Sequence, residues 1–164
     1  HVLNESTQEA RDRIVKRLKD MGAKDQLIMY MTGPAGAGKS TAIEVAQLFC
    51  FEFCRSLGLM WNSNTFLFTA LSGCAAALFG GVTLHSAAFL NSNTKNITLD
   101  MIAVWRDVKI LIVDEISFGT VKDMEKLNDR LNMIRRRLLR GTSNALDPNM
   151  EFGGFSIIFS GDFH

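Results

Sequence analysis

Residues 27–40 read LIMYMTGPAGAGKS, an apolar run followed by a glycine-rich stretch that ends in a lysine and a serine. The apolar part, Leu27 to Thr32, predicts a buried strand, and the residues after the glycines predict a helix. Gly33 to Ser40 matches the phosphate-binding P-loop pattern in full. Glycines let backbone amides turn inward, and the helix presents the positive end of its dipole to the same point. The stretch therefore predicts a triphosphate site.

Each residue type in this loop has an expected chemical role. Lys39 is expected to reach the β- and γ-phosphates, and the hydroxyl of Ser40 to ligate Mg²⁺. A glycine-rich turn with a chance lysine is the alternative, but the flanking strand and helix favour the P-loop. The expected nucleotide contacts are Gly33, Gly36, Ala37, Gly38, Lys39, Ser40 and Thr41.

A second apolar run, Ile110 to Val113, ends in two adjacent carboxylates, Asp114 and Glu115. Ligands of open parallel sheets collect at the carboxyl ends of the strands. We expect Asp114 to hold Mg²⁺ through water and Glu115 to polarise the attacking water. Adjacent acids can also be solvated strand-end charges, but the P-loop favours a catalytic pair. The guanine-reading pattern Asn/Thr-Lys-X-Asp does not occur in the sequence, which favours ATP over GTP.

Short apolar runs alternate with helical periodicity, which predicts an α/β fold with a mostly parallel sheet flanked by helices. Thr120 and Asp123 form a capping-box pattern before a long amphipathic helix. Strands are predicted at about 27–32, 65–70, 109–113 and 155–160, and a polar loop at 141–154. Helices are predicted at about 6–21, 39–57, 75–79, 84–90, 99–105 and 121–138.

Bulk composition restricts the class of protein without defining it. A length of 164 residues suits one domain, and a net charge of +1 gives no strong sign of a nucleic-acid partner. The odd number of cysteines, Cys50, Cys54 and Cys74, favours reduced thiols and an intracellular protein, and apolar packing is favoured over metal binding. The apolar runs are too short for a membrane span. Both ends look like cuts within a longer protein.

Several segments together resemble the PIF (petite integration frequency) family of DNA helicases. Residues 68–76, FTALSGCAA, and 80–86, GGVTLHS, are similar to the family pattern TAPTGxAA…GGxTxHS. Residues 114–117, DEIS, resemble the family's acidic motif, and 152–155, FGGF, with 160–164, SGDFH, resemble FGG…GDFxQ. Residues 127–135 are similar to the signature helix between those motifs, and Leu3-Asn4 with Gln8 to the opening LNxxQ. The segments follow the family order along almost the whole chain.

The resemblance implies a RecA-like P-loop NTPase of helicase superfamily one that uses ATP and Mg²⁺. It implies movement 5′-to-3′ on single-stranded DNA, unwinding of duplex DNA, and work in repair, recombination and telomere maintenance, in the nucleus or mitochondrion. Residues 1–164 would be the first RecA-like domain. A second RecA-like domain of the same chain would supply an arginine finger, so we expect the domain alone to be nearly inactive.

The resemblance also implies roles for individual residues. Gln8 would read adenine, and Asp162 would belong to the segment that senses γ-phosphate and couples it to DNA. Thr69, Ser72, His85 and Ser86 would lie at or near DNA. From the residues alone, small hydroxyl side chains suit phosphate contacts and His85 could stack on a base, but His85 could equally cap or pack a short helix.

Three alternatives stay open from the sequence. The chain could be a non-catalytic nucleotide-binding fragment or a decayed mobile-element copy, although the intact Lys39, Asp114 and Glu115 favour an enzyme. It could be another ATPase, such as an AAA+ or transporter domain, but the transporter signature Leu-Ser-Gly-Gly-Gln does not occur. Arg135 to Arg137 with Arg140 could contact DNA phosphates, although a solvated helix face is the more frequent role of such a run.

Overall fold

A computed structural model describes residues 26–91, 96–142 and 150–162, together with Glu9, Asp12, Arg13 and Lys16. The four isolated residues are helical and exposed. The predicted start of the first helix near Ser6 and the proposed adenine contact Gln8 lie outside the described residues.

The fold is built on a five-stranded sheet in which every pair of neighbouring strands is parallel. The strand order is β1-β5-β4-β2-β3, so β5 and β4 are central and β1 is an edge strand. The carboxyl ends of all five strands consequently meet at one edge of the sheet. The strands are β1 Ile28–Thr32, β2 Phe66–Ala70, β3 Val82–Thr83, β4 Ile110–Asp114 and β5 Ser156–Gly161.

Helices connect the strands, and most begin with a capping hydroxyl. Ser72, Thr83 and Thr98 each accept a hydrogen bond from the backbone N–H three residues on. Thr120 and Asp123 form the predicted capping box. The helices are α1 Lys39–Ser56, α2 Gly73–Leu78, α3 Leu84–Ala87, α4 Leu99–Trp105 and α5 Val121–Leu138, with 3₁₀ turns at Ile116–Phe118 and Glu151–Gly154.

The largest core lies between the sheet and the helices α3, α4 and α5. Trp105 and Phe155 meet edge to face with ring centroids 5.1 Å apart, and both side chains are fully buried. The indole N–H of Trp105 donates to the carbonyl of Ala87 at 2.8 Å, so the one polar atom of this ring is satisfied. Leu127, Leu131 and Ile134 of α5 complete the same core.

The prediction that residues 27–32 form a buried strand is wrong in its burial. The strand forms, but Leu27 to Tyr30 are all exposed, with 45% of Ile28 accessible. The reason is position: β1 has β5 as a partner on one side only. Apolar composition alone does not distinguish a central from an edge strand.

The predicted parallel α/β fold is confirmed, with three local differences. The short strand β3 was not predicted because two residues carry no periodicity. The helix predicted at 84–90 ends at Ala87, and Phe89 has a positive φ of 54°. The predicted polar loop contains the 3₁₀ turn Glu151–Gly154.

Two further findings concern the cysteines and the helices. Cys50 and Cys54 are half-buried and Cys74 is exposed, all as free thiols. Burial raises the thiol pKa of Cys50 and Cys54. Among the described helices, none combines the length and the apolar character that crossing a bilayer requires.

Candidate nucleotide and DNA site

The glycine-rich loop follows β1 at the edge where the strands end. Gly36 and Gly38 have φ values of 80° and 82°, a left-handed backbone that L side chains adopt only with strain. The helix α1 starts directly after Gly38, and no side chain caps its first turn. The N-terminus of α1 is thus uncapped and lies at the edge where the strands end, which is the arrangement that binds phosphates.

Lys39 folds back over this loop instead of extending into solvent. Its ammonium donates to the carbonyls of Gly33 at 2.6 Å and Pro34 at 3.2 Å, and it forms an ion pair with Asp162. Asp162 follows β5, the strand next to β1. Lys39 therefore joins the ends of two neighbouring strands through three oxygen contacts.

The acidic pair lies at the same sheet edge, as predicted. Asp114 is the last residue of β4, which lies on the other side of β5 from β1. Its side chain is only 9% exposed. The oxygens of Asp114 and Ser40 are of the type that Mg²⁺ binds, and both residues lie at this edge, so the donor set fits the ion.

Glu115 adopts an unusual backbone conformation immediately after β4. Its φ of 57° and ψ of 35° place a non-glycine residue in the left-handed region. The Ser72 hydroxyl donates to the Glu115 carboxylate at 2.6 Å, a short charge-assisted hydrogen bond. The neighbouring strands β2 and β4 bring the two residues together, since Ala70 pairs with Asp114.

Desolvation raises the pKa of the Tyr30 hydroxyl above its ordinary 10.0, and the negative charge of Asp162 acts in the same direction.

Ser160, in the neighbouring strand β5, has a fully buried hydroxyl without a hydrogen-bond partner among the described residues. No pattern in the sequence indicates this unpaired hydroxyl, because a serine at a strand end is ordinary.

Two motif glycines are explained by close packing. A Cβ on Gly81 would lie 2.6 Å from the carbonyl oxygen of Phe68, and one on Gly161 would lie 2.9 Å from a methyl carbon of Ile116. Real Cβ atoms do not approach so closely, so only glycine fits without movement. The contact at Gly161 also packs the end of β5 against the 3₁₀ turn that follows Glu115.

The residues expected at DNA divide into two groups. Ser72, His85 and Ser86 lie at the starts of α2 and α3, half-buried or exposed. Thr69 differs: it is fully buried in β2, and its hydroxyl donates to the carbonyl of Ile112 at 2.5 Å. The predicted DNA contact by the Thr69 side chain is therefore incompatible with this geometry, because a hydroxyl inside the sheet cannot reach a solvent-side ligand.

His85 also has a structural partner. Its Nε2 lies 3.7 Å from a carboxylate oxygen of Asp123, the capping residue of α5. Ser86 accepts a hydrogen bond from the Thr83 hydroxyl at 2.9 Å. The contacts therefore support the alternative in which His85 packs within the fold, and they connect α3 to the start of α5.

The arginine cluster separates into one structural residue and an exposed group. The guanidinium of Arg135 donates to the Gly153 carbonyl at 2.8 Å and stacks 3.8 Å above the Phe155 ring. Desolvation lowers its pKa. Arg136, Arg137 and Arg140 are exposed and line a shallow recess with Met133, Asn96 and Ile97.

A parallel sheet with a lysine-bearing glycine loop and an acidic pair at its carboxyl edge defines a RecA-like P-loop domain. The family model described as PIF1-like helicase matches residues 2–164, and the chain belongs to that family.

Known relatives and solved structures agree with this assignment. The chain is 31% identical over 157 residues to the ATP-dependent DNA helicase RRM3 of Saccharomyces cerevisiae, covering 90% of the chain. It is 28% identical over 143 residues to human ATP-dependent DNA helicase PIF1, covering 82%. The crystal structure of Candida albicans Pif1 superposes with a TM-score of 0.59 at 25% identity, covering 93% of this chain and 32% of that one.

A second solved structure extends the fold comparison. Bacteroides Pif1, crystallised in complex with ADP-AlF3 and single-stranded DNA, has a TM-score of 0.60 at 22% identity, with 94% of this chain and 32% of that chain covered. The chain spans only 19% of RRM3 and 19% of human PIF1.

Proposed function

We propose that this chain is the ATP-binding first motor domain of a DNA helicase that couples ATP hydrolysis to movement on single-stranded DNA. One observation carries the proposal. At a single edge of the sheet, the P-loop lysine, the acidic pair at the end of β4 and the aspartate after β5 come together. This is the set of groups that phosphoryl transfer needs.

The family supports DNA as the partner. The relatives in yeast and human are named ATP-dependent DNA helicases, and the Bacteroides protein was crystallised with single-stranded DNA. The Ser72, His85 and Ser86 side chains lie on the two short helices after β2 and β3, which end at the nucleotide edge. We assign these helices to the DNA track, with movement 5′-to-3′ as in the resemblance described above.

Phosphate binding changes the partners of Lys39. Its ammonium holds Asp162 and two loop carbonyls. A triphosphate in the loop offers stronger anionic partners, so Lys39 exchanges the Asp162 carboxylate for phosphate oxygens. Asp162 is then released at the end of β5. Since Gly161 packs against Ile116, this release acts on the turn that carries Glu115.

The acidic pair divides the remaining work. Asp114 is nearly buried and fixed by the strand, which suits a group that holds a metal ion through water. Mg²⁺ bound by Ser40 and Asp114 would neutralise charge that develops on the phosphates. Glu115, which directly follows β4, accepts a proton from the attacking water as the general base.

The whole enzyme would include a second RecA-like domain that closes over the nucleotide. An arginine finger from that domain contributes about 10³–10⁵ in rate in related phosphoryl-transfer enzymes. We therefore place residues 1–164 as one half of the catalytic cleft, in a nuclear or mitochondrial helicase. Residues 1–164 alone would bind ATP weakly and unwind no duplex.

Two substitutions in the full-length protein test the assignment. Lys39→Ala should lower ATP affinity by about 100-fold, as expected for the loss of charge-assisted phosphate contacts. Glu115→Gln should leave ATP affinity unchanged and lower the hydrolysis rate by about 10²–10⁴, the usual contribution of a general base. Fluorescent-nucleotide titration and phosphate-release assays measure the two effects separately.

Arg55→Gln is a suitable control, because Arg55 lies exposed at the end of α1 and, among the described residues, forms its ion pair with Glu52 of the same helix. Normal hydrolysis by Glu115→Gln would refute the base assignment. A wild-type protein that binds ATP but never hydrolyses it, with or without DNA, would instead support the non-catalytic alternative.

A further inference from the structure

The hydrogen bond between Ser72 and Glu115 joins the two halves of the proposed mechanism. Ser72 lies at the start of α2, on the side assigned to DNA, and Glu115 is the proposed base of ATP hydrolysis. The two oxygens are 2.6 Å apart and both residues are half-buried. A hydrogen bond to a half-buried carboxylate holds the carboxylate in one orientation.

Ser72 has a second contact that fixes its position. Its hydroxyl oxygen accepts a hydrogen bond from the backbone N–H of Ala75 at 3.2 Å, which caps α2. The serine therefore links the first turn of α2 directly to the carboxylate. A shift of α2 by a fraction of an ångström changes the geometry of the Ser72–Glu115 bond.

The backbone around Glu115 makes the carboxylate sensitive to this restraint. Glu115 sits in the left-handed region, a conformation that persists only where neighbours enforce it. The Leu71 N–H donates to the Asp114 carbonyl at 3.2 Å. Gly119 packs against the Leu71 side chain, since a Cβ added to Gly119 would lie 3.0 Å from a methyl carbon of Leu71. The segment from Leu71 to Ser72 thus packs on both sides of the turn that carries the base.

We propose that Ser72 is a positioning residue that restrains Glu115 and makes ATP hydrolysis depend on DNA. Its hydroxyl can donate one hydrogen bond, and in this structure it donates that bond to the Glu115 carboxylate. A DNA phosphate at the start of α2 competes with the carboxylate as the acceptor. When the hydroxyl donates to the phosphate, the Glu115 carboxylate is freed to turn toward the water that attacks the γ-phosphate.

The hydrogen bond from Ser72 to Glu115 and the bond from Ser72 to a DNA phosphate should have similar free energies, as a switch requires. Both bonds join a hydroxyl to an anion, so they are of similar strength. The restraint therefore does not block the enzyme permanently, and a bound strand is enough to shift it. This inference rests on the proposed function, because it assumes that Glu115 is the base and that α2 contacts DNA.

Ser72→Ala in the full-length protein tests the inference through the ratio of hydrolysis rates with and without saturating single-stranded DNA. Removal of the hydroxyl should raise the rate without DNA by about tenfold, as expected for the loss of one charge-assisted hydrogen bond. The ratio should fall toward one. Ser72→Thr retains the hydroxyl and should keep the wild-type ratio.

Thr98→Ala is the matched control. Thr98 caps α4 through the same type of hydrogen bond, to the N–H of Met101, and makes no contact with Glu115. It should lose a similar amount of stability and keep both the DNA-free rate and the ratio. A drop in both rates of Ser72→Ala by the same factor, or a ratio equal to that of the wild type, would overturn the switch.

Failure of the inference is distinguishable from failure of the proposed function. If DNA stimulates ATP hydrolysis by the wild type and Ser72→Ala keeps the same ratio of rates, only the switch is refuted. A wild-type protein with no DNA-stimulated hydrolysis overturns the motor function and the switch together. The double variant Ser72→Ala/Glu115→Gln should be as inactive as Glu115→Gln, and residual activation there would show that Ser72 acts through another group.

Discussion

The helices α1 and α5 both contain 18 residues, yet their N-termini are built for different purposes. In α5, Thr120 accepts from the Asp123 N–H, and the Asp123 carboxylate accepts from the Thr120 N–H at 3.0 Å. In α1, the first turn follows Gly38 and has no side-chain cap. A helix that caps itself gains stability, whereas one that leaves its first turn uncapped can bind an anion.

The two helices also differ in what they bury. The helix α5 buries Leu127, Leu131 and Ile134, while α1 buries only Ile43. The apolar side chains of α1, such as Phe49 at 69% exposure, contribute little to this core. This contrast indicates that α5 stabilises the domain and that α1 mainly positions the glycine-rich loop.

The largest effect on stability should come from a cavity under α5. Leu131 is fully buried against the sheet, so Leu131→Ala should lower the free energy of unfolding by about 2–5 kcal/mol. Leu48 of α1, 60% exposed, supplies the same chemical change as a control and should cost well under half as much. Urea denaturation followed by circular dichroism measures both. Equal losses would erase the distinction between the helices.

A smaller effect should follow removal of the α5 cap. Asp123→Ala removes the N3 carboxylate of the capping box and should cost about 1 kcal/mol at pH 7, the usual value of a helix-capping interaction. The hydrogen bonds from the Thr120 backbone and hydroxyl lower the pKa of Asp123 below its ordinary 3.8. The folded state therefore binds this proton less tightly than the unfolded state, and the contribution of the carboxylate is fully present above about pH 4.

The pH dependence supplies the check on that cap. As the pH falls through the lowered pKa, wild type should lose the advantage that Asp123 provides, and the two unfolding curves should converge. Asp129→Ala removes an exposed carboxylate from the middle of the same helix and should show no comparable convergence. A stability difference that stays constant from pH 7 to pH 3 would mean that the carboxylate charge is not what caps α5.

Most of the fold was predictable, because its signals are local. The capping box at Thr120 and the glycine loop each depend on residues that are close in the sequence, and both occur as predicted. The exposure of β1 was not predictable. Whether a strand has one neighbour or two depends on the order of strands in the sheet, which adjacent residues do not encode.

The location of the candidate site in the fold was predictable, but its contacts were not. The P-loop and the acidic pair follow from spacing, and they meet at one sheet edge as expected. The partner of Ser72 could not be read from the sequence, since 43 residues separate it from Glu115. Burial of Thr69 was missed for a similar reason: its hydroxyl donates to the carbonyl of Ile112, which is 43 positions away in the sequence.

The smallest expected effect lies on the exposed face of α1. Phe49 stacks on Phe53 one turn away with ring centroids 6.2 Å apart, and this pair is its main described aromatic contact. Such a pair stabilises a helix by about 0.2–0.5 kcal/mol, so Phe49→Ala should change the free energy of unfolding by no more than about that amount. The same urea titration used for Leu131→Ala provides the measurement. A loss above about 2 kcal/mol, the range of a buried aromatic side chain, would show that the α1 face packs against another part of the protein. In that case the contrast between α1 and α5 would describe the first turns of the two helices and not their faces.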